Sequence, residues 1–198
     1  MPQREYDILL ASASPRRSAI LRQMGVSFEL VQNTVDESFR RLEIPADFVT
    51  RLAREKAAAG YISSGGGCPV LGADTIVVID QQIFGKPRDE RGATEMLMQL
   101  SGRTHQVLTA VAITDGVSVA QRLSDNHVSF RAISKKECHA YWQTGEPIDK
   151  AGGYAIQGFG AVFVNNLAGS YSGVVGLPIQ PTHELLSLFG VPVWRMTC

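Results

Sequence analysis

The sequence predicts an α/β fold, a mixed β-sheet flanked by helices, in a single domain spanning residues 1–198. Three observations predict it. Apolar runs of strand length alternate with segments of helical period. Two long strand-like stretches, Thr104 to Thr114 and Val117 to Arg131, flank Asp115-Gly116, a hairpin signal that brings antiparallel pairing into the sheet. Ile76-Val77-Val78-Ile79 is an unbroken β-branched run, the pattern of a strand buried on both faces.

Size and composition bound the possibilities. A chain of 198 residues buries roughly 70% of its unfolded surface, so it needs no covalent staples. Lys plus Arg and Asp plus Glu number 19 each, which removes the overall electrostatic case for nucleic acid or an anionic membrane. Any phosphate site must be a local cluster of cations. Cys68, Cys138 and Cys198 are an odd set without C-x-x-C spacing, which argues against a disulfide framework and for a reducing compartment. None of the four histidines stands at ligand spacing from a cysteine or another histidine, so no zinc site is expected. No apolar run reaches membrane-spanning length. Arg16-Arg17 is not an export signal, because Arg22 and Gln23 break the apolar sequence Ile20, Leu21, Met24. A cytoplasmic protein is expected.

Ile8-Leu9-Leu10 reads as a short buried strand. A helix follows, with Ser14 as N-cap, Pro15 in the first position and Gly25 at its end. Arg16 and Arg17 fall in its first turn, where the helix dipole disfavours cations. Either they are solvated, or an anion docks at this serine-rich entry; the second account is favoured. Ser27 to Gln32 reads as a second strand, and Val35-Asp36-Glu37-Ser38 as a loop. Ala46 to about Tyr61 is an amphipathic helix with Val49, Leu52 and Ala53 on its buried stripe. Lys56 falls on that stripe, whereas Arg51, Arg54 and Glu55 lie off it and read as solvated. An inward lysine either snorkels to the edge or points at a charged ligand.

Val70 to Ile79 is the central strand, with Asp74 at the head of its β-branched run. An ionised carboxylate there costs several kcal/mol unless a cation or donors meet it. It is therefore either a solvated strand-end aspartate or a carboxylate aimed into a cleft, and the stretch alone does not choose. Asp80-Gln81-Gln82 reads as a turn, Gln82 to Phe84 as a returning strand, and Gly85-Lys86-Pro87 as a constrained loop. Asp89 to Leu100 is a helix ended by Gly102. His105 and His127 lie along the long hairpin and read as structural. Ser134 and Glu137 form a capping box that opens a helix running to Gly145. The glycine-rich stretch Asp149 to Gly160 leads into a strand, Ala161 to Val164, and so is not a dinucleotide fingerprint. A last helix, roughly Thr182 to Phe189, and a closing strand, Val191 to Met196, complete the chain.

Five candidate cations (Arg16, Arg17, Lys56, Lys86, Lys150) and two acids (Glu37, Asp74) are residue types that bind a polyphosphate with a divalent metal. Their spatial convergence does not follow from spacing.

A family resemblance adds to this. Ser12-x-Ser14-Pro15-Arg16-Arg17, Arg54-Glu55-Lys56-Ala57, Gly72-Ala73-Asp74-Thr75, Gly85-Lys86-Pro87 and Ser101-Gly102-x-x-His105-x-Val107 come in order. Asp149-Lys150-Ala151-Gly152-x-Tyr154-x-Ile156-Gln157-Gly158 and Gly169-Ser170-Tyr171-x-x-Val174-Val175-Gly176-Leu177-Pro178 follow. Together they resemble the Maf family of nucleoside triphosphate pyrophosphatases from residue 8 to about 190. Each block is weak alone; the ordered set is specific. The resemblance implies a two-lobed fold like that of the inosine triphosphate pyrophosphatases, with the active site between lobes. It implies cleavage between the α and β phosphates with Mg²⁺ or Mn²⁺. Asp74 would be the base that accepts a proton from water, and Glu37 would share the metal with it. Arg16, Arg17, Lys56 and Lys86 would neutralise phosphate charge. An unaided aspartate, with a pKa of about 3.9, is a weak base, and a divalent cation that acidifies water removes much of that difficulty.

The family branch preferring dTTP and UTP resembles this chain at Ser-Pro-Arg-Arg, Asp-Thr and Ile-Gln-Gly. The branch preferring 7-methyl-GTP carries a tryptophan after the proline, Asp-Gln and Ser-Glu-Gly. Arg16, Thr75 and Gln157 are thus the expected specificity positions, with Ser12 and Lys150 also on the substrate. The amide of Gln157 can both donate to and accept from a pyrimidine edge, which a glutamate cannot copy. One departure is Gly173, where the family more often has a larger polar residue. The family's habit also implies a homodimer, and its name is tied to septum formation and division arrest, which leaves a nucleotide-binding regulator as an alternative role.

Overall fold

The computed structural model describes residues 5–195. In chain order the elements are β1 (Ile8–Leu10), α1 (Pro15–Gln23), β2 (Phe28–Leu30), α2 (Pro45–Ser63), β3 (Val70–Ile79) and β4 (Gln82–Phe84). They continue with α3 (Glu90–Leu100), β5 (Thr104–Thr114), β6 (Val119–Phe130), α4 (Lys135–Trp142), β7 (Val164–Ala168), α5 (Tyr171–Val175) and α6 (Ile179–Leu188). The strands form one seven-stranded sheet in the order β2-β1-β3-β5-β6-β7, with β4 paired to β3 beside β1. β1 is parallel to both β2 and β3, and every other pair is antiparallel. The expected mixed sheet flanked by helices is therefore the observed one.

Alternation along β3 and β5 assigns the two faces. Ile76 and Val78 of β3, with Leu108, Ala110 and Ala112 of β5, pack under Phe48, Val49, Leu52, Ala53 and Ala57 of α2. Gly72 belongs to that face, and a Cβ there would lie 2.4 Å from both Ala53 O and Ala57 N, so α2 rests directly on the backbone of β3. The opposite face carries two cores. Leu71, Ala73, Val111 and Ile113 pack with α1 and α6, while Val77, Ile79 and Val107 pack with α3, α4 and Phe163. Between them, on the same face, stand Thr75 and Thr109, directly opposite one another across the β3–β5 ladder. This polar pair marks the seam of a two-lobed domain.

Several sequence expectations need correction. Ala161 to Val164 does not form a strand: Phe159–Phe163 is a 3-10 turn, and β7 starts at Val164. The carboxylate of Glu146 accepts from the backbone N–H groups of Phe159 and Gly160, which holds the chain in that turn. Val191 to Met196 is no ladder strand over its described part; instead Trp194 N and Arg195 N donate to Met24 O and Gly25 O behind α1. Met196 lies outside the described residues, as does Cys198. α6 begins three residues early because Pro181 sits in its first turn, where the missing N–H has no helical acceptor. α5 was not foreseen; Ser170 caps it by accepting from Gly173 N. The β5–β6 connection spans four residues, since Asp115 accepts from both Val117 N and Ser118 N and widens the turn. Arg51 is not solvated, because its guanidinium meets Glu43 at 2.6 Å, Glu55 at 3.0 Å and Ser38 O at 3.0 Å.

Among the described residues no helix is long and apolar enough to cross a membrane. Cys68 and Cys138 are buried, as befits small apolar side chains.

Candidate active site

The site follows from how two short strands share one edge of β3. β1 pairs with Val70 and Leu71, and β4 pairs with Val77 to Ile79. On that edge no strand among the described residues covers residues 72–76. β1 runs parallel to β3 and β4 antiparallel to it, so both head into the gap from opposite ends and leave the sheet there. The serine-arginine loop exits from β1 and the Gly85-Lys86 loop exits from β4. Between them opens a cleft of about 820 Å³. Ser12, Arg16, Arg17, Glu37, Lys56, Asp74, Thr75, Lys86, Lys150 and Gln157, the whole set singled out from sequence, line it.

Asp74 and Thr75 serve opposite faces of the sheet. Asp74 faces α2, where the Nζ of Lys56 lies 2.7 Å from its Oδ1 and 2.6 Å from Oε1 of Glu37. The inward position of Lys56 on α2 thus has its cause: one ammonium joins two carboxylates. Oδ2 of Asp74 makes no hydrogen bond among the described residues. Burial pushes the Glu37 carboxyl up, but the hydrogen bond and charge of Lys56, with Lys86 and Arg17, outweigh it and hold it below its ordinary value. The loop bearing Glu37 is anchored by Arg51, which binds the next residue's carbonyl.

On the other face, Arg17 is held at three points. Its Nε donates to Gly176 O at 2.9 Å, Nη1 to Ser12 Oγ at 3.0 Å and Nη2 to Thr75 Oγ1 at 3.2 Å. Thr109 Oγ1 lies 2.7 Å from Gly173 O and 3.0 Å from Thr75 Oγ1. Thr109 Oγ1 is the donor in both, shared between the Gly173 carbonyl and Thr75 Oγ1, so the Thr75 oxygen accepts from Thr109 as well as from Arg17. The Thr75 oxygen is thus held between Arg17 and Thr109. Gly173 has no room for a larger side chain, since a Cβ would sit 2.7 Å from Ser124 Oγ and 2.9 Å from Asn126 Nδ2. Burial lowers the Arg17 guanidinium from its ordinary value, opposed by Asp74 and Glu37. Burial likewise lowers Arg16, with Asp149 acting against it. Both arginines stay charged near neutral pH. Lys86 is exposed at the cleft wall, and Lys150 Nζ lies 3.3 Å from Asp149 Oδ2.

Two carboxylates beside phosphate-sized space are a hard oxygen donor pair, the set that Mg²⁺ or Mn²⁺ takes together with water and phosphate oxygens. Glu37 and Asp74 fit that use, already drawn together by a cation's worth of charge. Among the described residues no group of three or more His, Cys, Asp or Glu forms a closed metal cage.

The family described as Maf-like protein matches residues 7–189. This chain belongs to the Maf-like family. A relative from Saccharophagus degradans (strain 2-40 / ATCC 43961 / DSM 17024), named dTTP/UTP pyrophosphatase, is 51% identical over 96% of this chain and 91% of its own length. The protein of the same name from Pseudoalteromonas translucida (strain TAC 125) is 50% identical over 92% of this chain and 96% of its own. That from Escherichia coli O157:H7 is 47% identical over 92% of both.

Sequence reasoning missed other residues that line or support this Maf-like cleft. Phe39 stacks on Phe48 at 4.2 Å between ring centroids, 5° from parallel, and both line it. Phe39 sits in an irregular loop with no period to expose its role. Asn33 holds the start of the serine loop by donating to Ala11 O at 2.8 Å. Thr109 could have been found: it is a threonine in an otherwise apolar run, Val107 to Ile113.

Proposed function

We propose that this protein hydrolyses nucleoside triphosphates between the α and β phosphates, giving the monophosphate and pyrophosphate, with dTTP and UTP preferred. The observation that carries this reading is the convergence of Asp74 with five cationic side chains in one cleft, in a chain whose relatives bear the name dTTP/UTP pyrophosphatase. A cytoplasmic location agrees with nucleotide triphosphates as substrates.

Asp74 is the proton acceptor. Lys56 holds its Oδ1, which fixes the carboxylate and leaves Oδ2 to take the proton from an attacking water. Asp74 and Glu37 would hold Mg²⁺ or Mn²⁺, which when bound supplies positive charge against the phosphate oxygens and acidifies water. Arg16, Arg17, Lys86 and Lys150 bind the polyphosphate and stabilise the charge that gathers on the leaving pyrophosphate. Arg17 needs no reorganisation for this, because three acceptors hold it in place. Ser12 supports Arg17, Thr75 orients it, and Gln157 with Arg16 chooses the base.

Purified protein with Mg²⁺ is expected to release pyrophosphate from dTTP and UTP in preference to 7-methyl-GTP, and Asp74→Asn is expected to abolish this. Release of orthophosphate alone, or full turnover by the variant, would refute the reading.

A further inference from the structure

We propose that Tyr141 and Glu146 are positioning residues that set base selectivity by clamping the segment that carries Gln157. The inference rests on the pyrophosphatase reading above. Neither residue lines the cleft; both act from behind it.

The clamp is a single hydrogen-bonded unit at the end of α4. Glu146 Oε1 accepts from the Tyr141 hydroxyl at 2.7 Å and from Gly160 N at 2.9 Å, and Oε2 accepts from Phe159 N at 2.9 Å. The Tyr141 oxygen in turn accepts from Ala155 N at 3.1 Å. Ala155 and Gly160 bracket Gln157, so both ends of its loop are tied to the same pair of side chains. Ala155 and Ile156 are buried while Gln157 is exposed toward the cleft, and its amide makes no hydrogen bond among the described residues. Such an arrangement offers one free amide from an immobilised backbone.

The packing leaves little slack. A Cβ on Gly158 would fall 2.0 Å from Glu146 Oε2, and one on Gly160 would fall 2.7 Å from the Tyr141 hydroxyl oxygen. Bare backbone at both positions lets the loop press onto the clamp. Tyr141 is itself fixed by an edge-to-face contact with Phe163, with ring centroids 5.1 Å apart. Burial pushes the Glu146 carboxyl up, but the Tyr141 hydroxyl and the two backbone N–H groups outweigh it and keep the carboxylate ionised as a triple acceptor.

Full-length Tyr141→Phe and Glu146→Gln test this, with pyrophosphate release from dTTP, UTP and GTP measured in Mg²⁺. Phenylalanine removes the hydroxyl that joins Ala155 to Glu146. Glutamine keeps the shape but offers one acceptor oxygen where two are used. The ratio of kcat/KM for dTTP over GTP is expected to fall about tenfold, the equivalent of one well-placed hydrogen bond. The fall should come mainly from a higher KM for dTTP, together with faster amide exchange over residues 155–160. Should Glu146→Gln fail to fold, Tyr141→Phe decides by the same ratio. Variants as selective as wild type, or variants losing kcat equally on every nucleotide at unchanged KM, would overturn the proposal. A wild-type chain inactive on every triphosphate would instead strike the catalytic reading beneath it.

Discussion

Replacing Lys56 with methionine isolates the charge balance at the heart of the cleft. The ammonium lies 2.7 Å from Asp74 and 2.6 Å from Glu37, with side-chain exposures of 12% for Lys56, 12% for Asp74 and 58% for Glu37. The two arms are unequal. Glu37 is well solvated, so its pair is screened and contributes less than about 1 kcal/mol. Asp74 is not: stripping a nearly buried charge of its partner costs about 3–5 kcal/mol, and an open cleft places the effect at the low end, about 3 kcal/mol. For a chain of this size that corresponds to a fall in Tm of about 6–12 °C. Urea unfolding in chelator measures it directly. Methionine keeps most of the aliphatic bulk, so packing loss stays small. Millimolar Mg²⁺ should then restore more stability to the variant than to wild type, because two uncompensated carboxylates gain more from a divalent cation. Adding Asp74→Asn to Lys56→Met should recover most of the loss. A destabilisation below about 1 kcal/mol would show that Asp74 is as well solvated as a surface acid, and the case for a charge-starved carboxylate would fail.

Two further outcomes are expected. Gly72→Ala places a methyl against the backbone of α2, which cannot yield as a side-chain tip can; the denaturant midpoint should fall by the equivalent of about 3 kcal/mol. The same shift of α2 displaces Lys56, so pyrophosphate release should fall with it, and an alanine variant of unchanged midpoint would refute the direct packing of α2 on β3. His105 is buried with one ring nitrogen 2.8 Å from the Tyr154 hydroxyl and the other without a partner among the described residues, and burial lowers its pKa from 6.5 to about 4. The unfolded chain therefore binds a proton near pH 6.5 that the folded chain refuses until about pH 4. His105 contributes its full stability above that window and loses it as the pH falls through it, about 3 kcal/mol in all. Urea titrations at stepped pH should show His105→Gln losing less over this window than wild type, and parallel slopes would disprove the buried neutral imidazole.

Much of the architecture was readable because it rests on local patterns. The β-branched run fixed β3, the paired long stretches fixed the central hairpin, and Ser134 with Glu137 announced α4 before any contact was known. Two clues to the site were also local, since cations in a helix's first turn and a lysine on an apolar stripe both break the usual rules. What stayed hidden depends on distant partners. Arg51 looked solvated because Glu43, which holds it, lies eight residues away in an irregular loop. Ala161 to Val164 has strand composition, yet its preceding amides are taken by Glu146, a capture that no periodicity reports. The gap beside β3 was also beyond reach, since it arises from two short strands stopping at different places along a third. Thr75 was singled out from its motif, but only the structure shows its hydroxyl oxygen already engaged by Arg17 and Thr109.

The seam at Thr75 and Thr109 has a mechanical consequence. β3, β5 and β6 pass from one core to the other without a break, so the lobes are joined by continuous strands and not by a linker. Any change in the width of the cleft would therefore have to bend one continuous sheet. The hydrogen bonds that tie the threonine pair to Arg17 and Gly173 stand where those continuous strands pass from one core to the other.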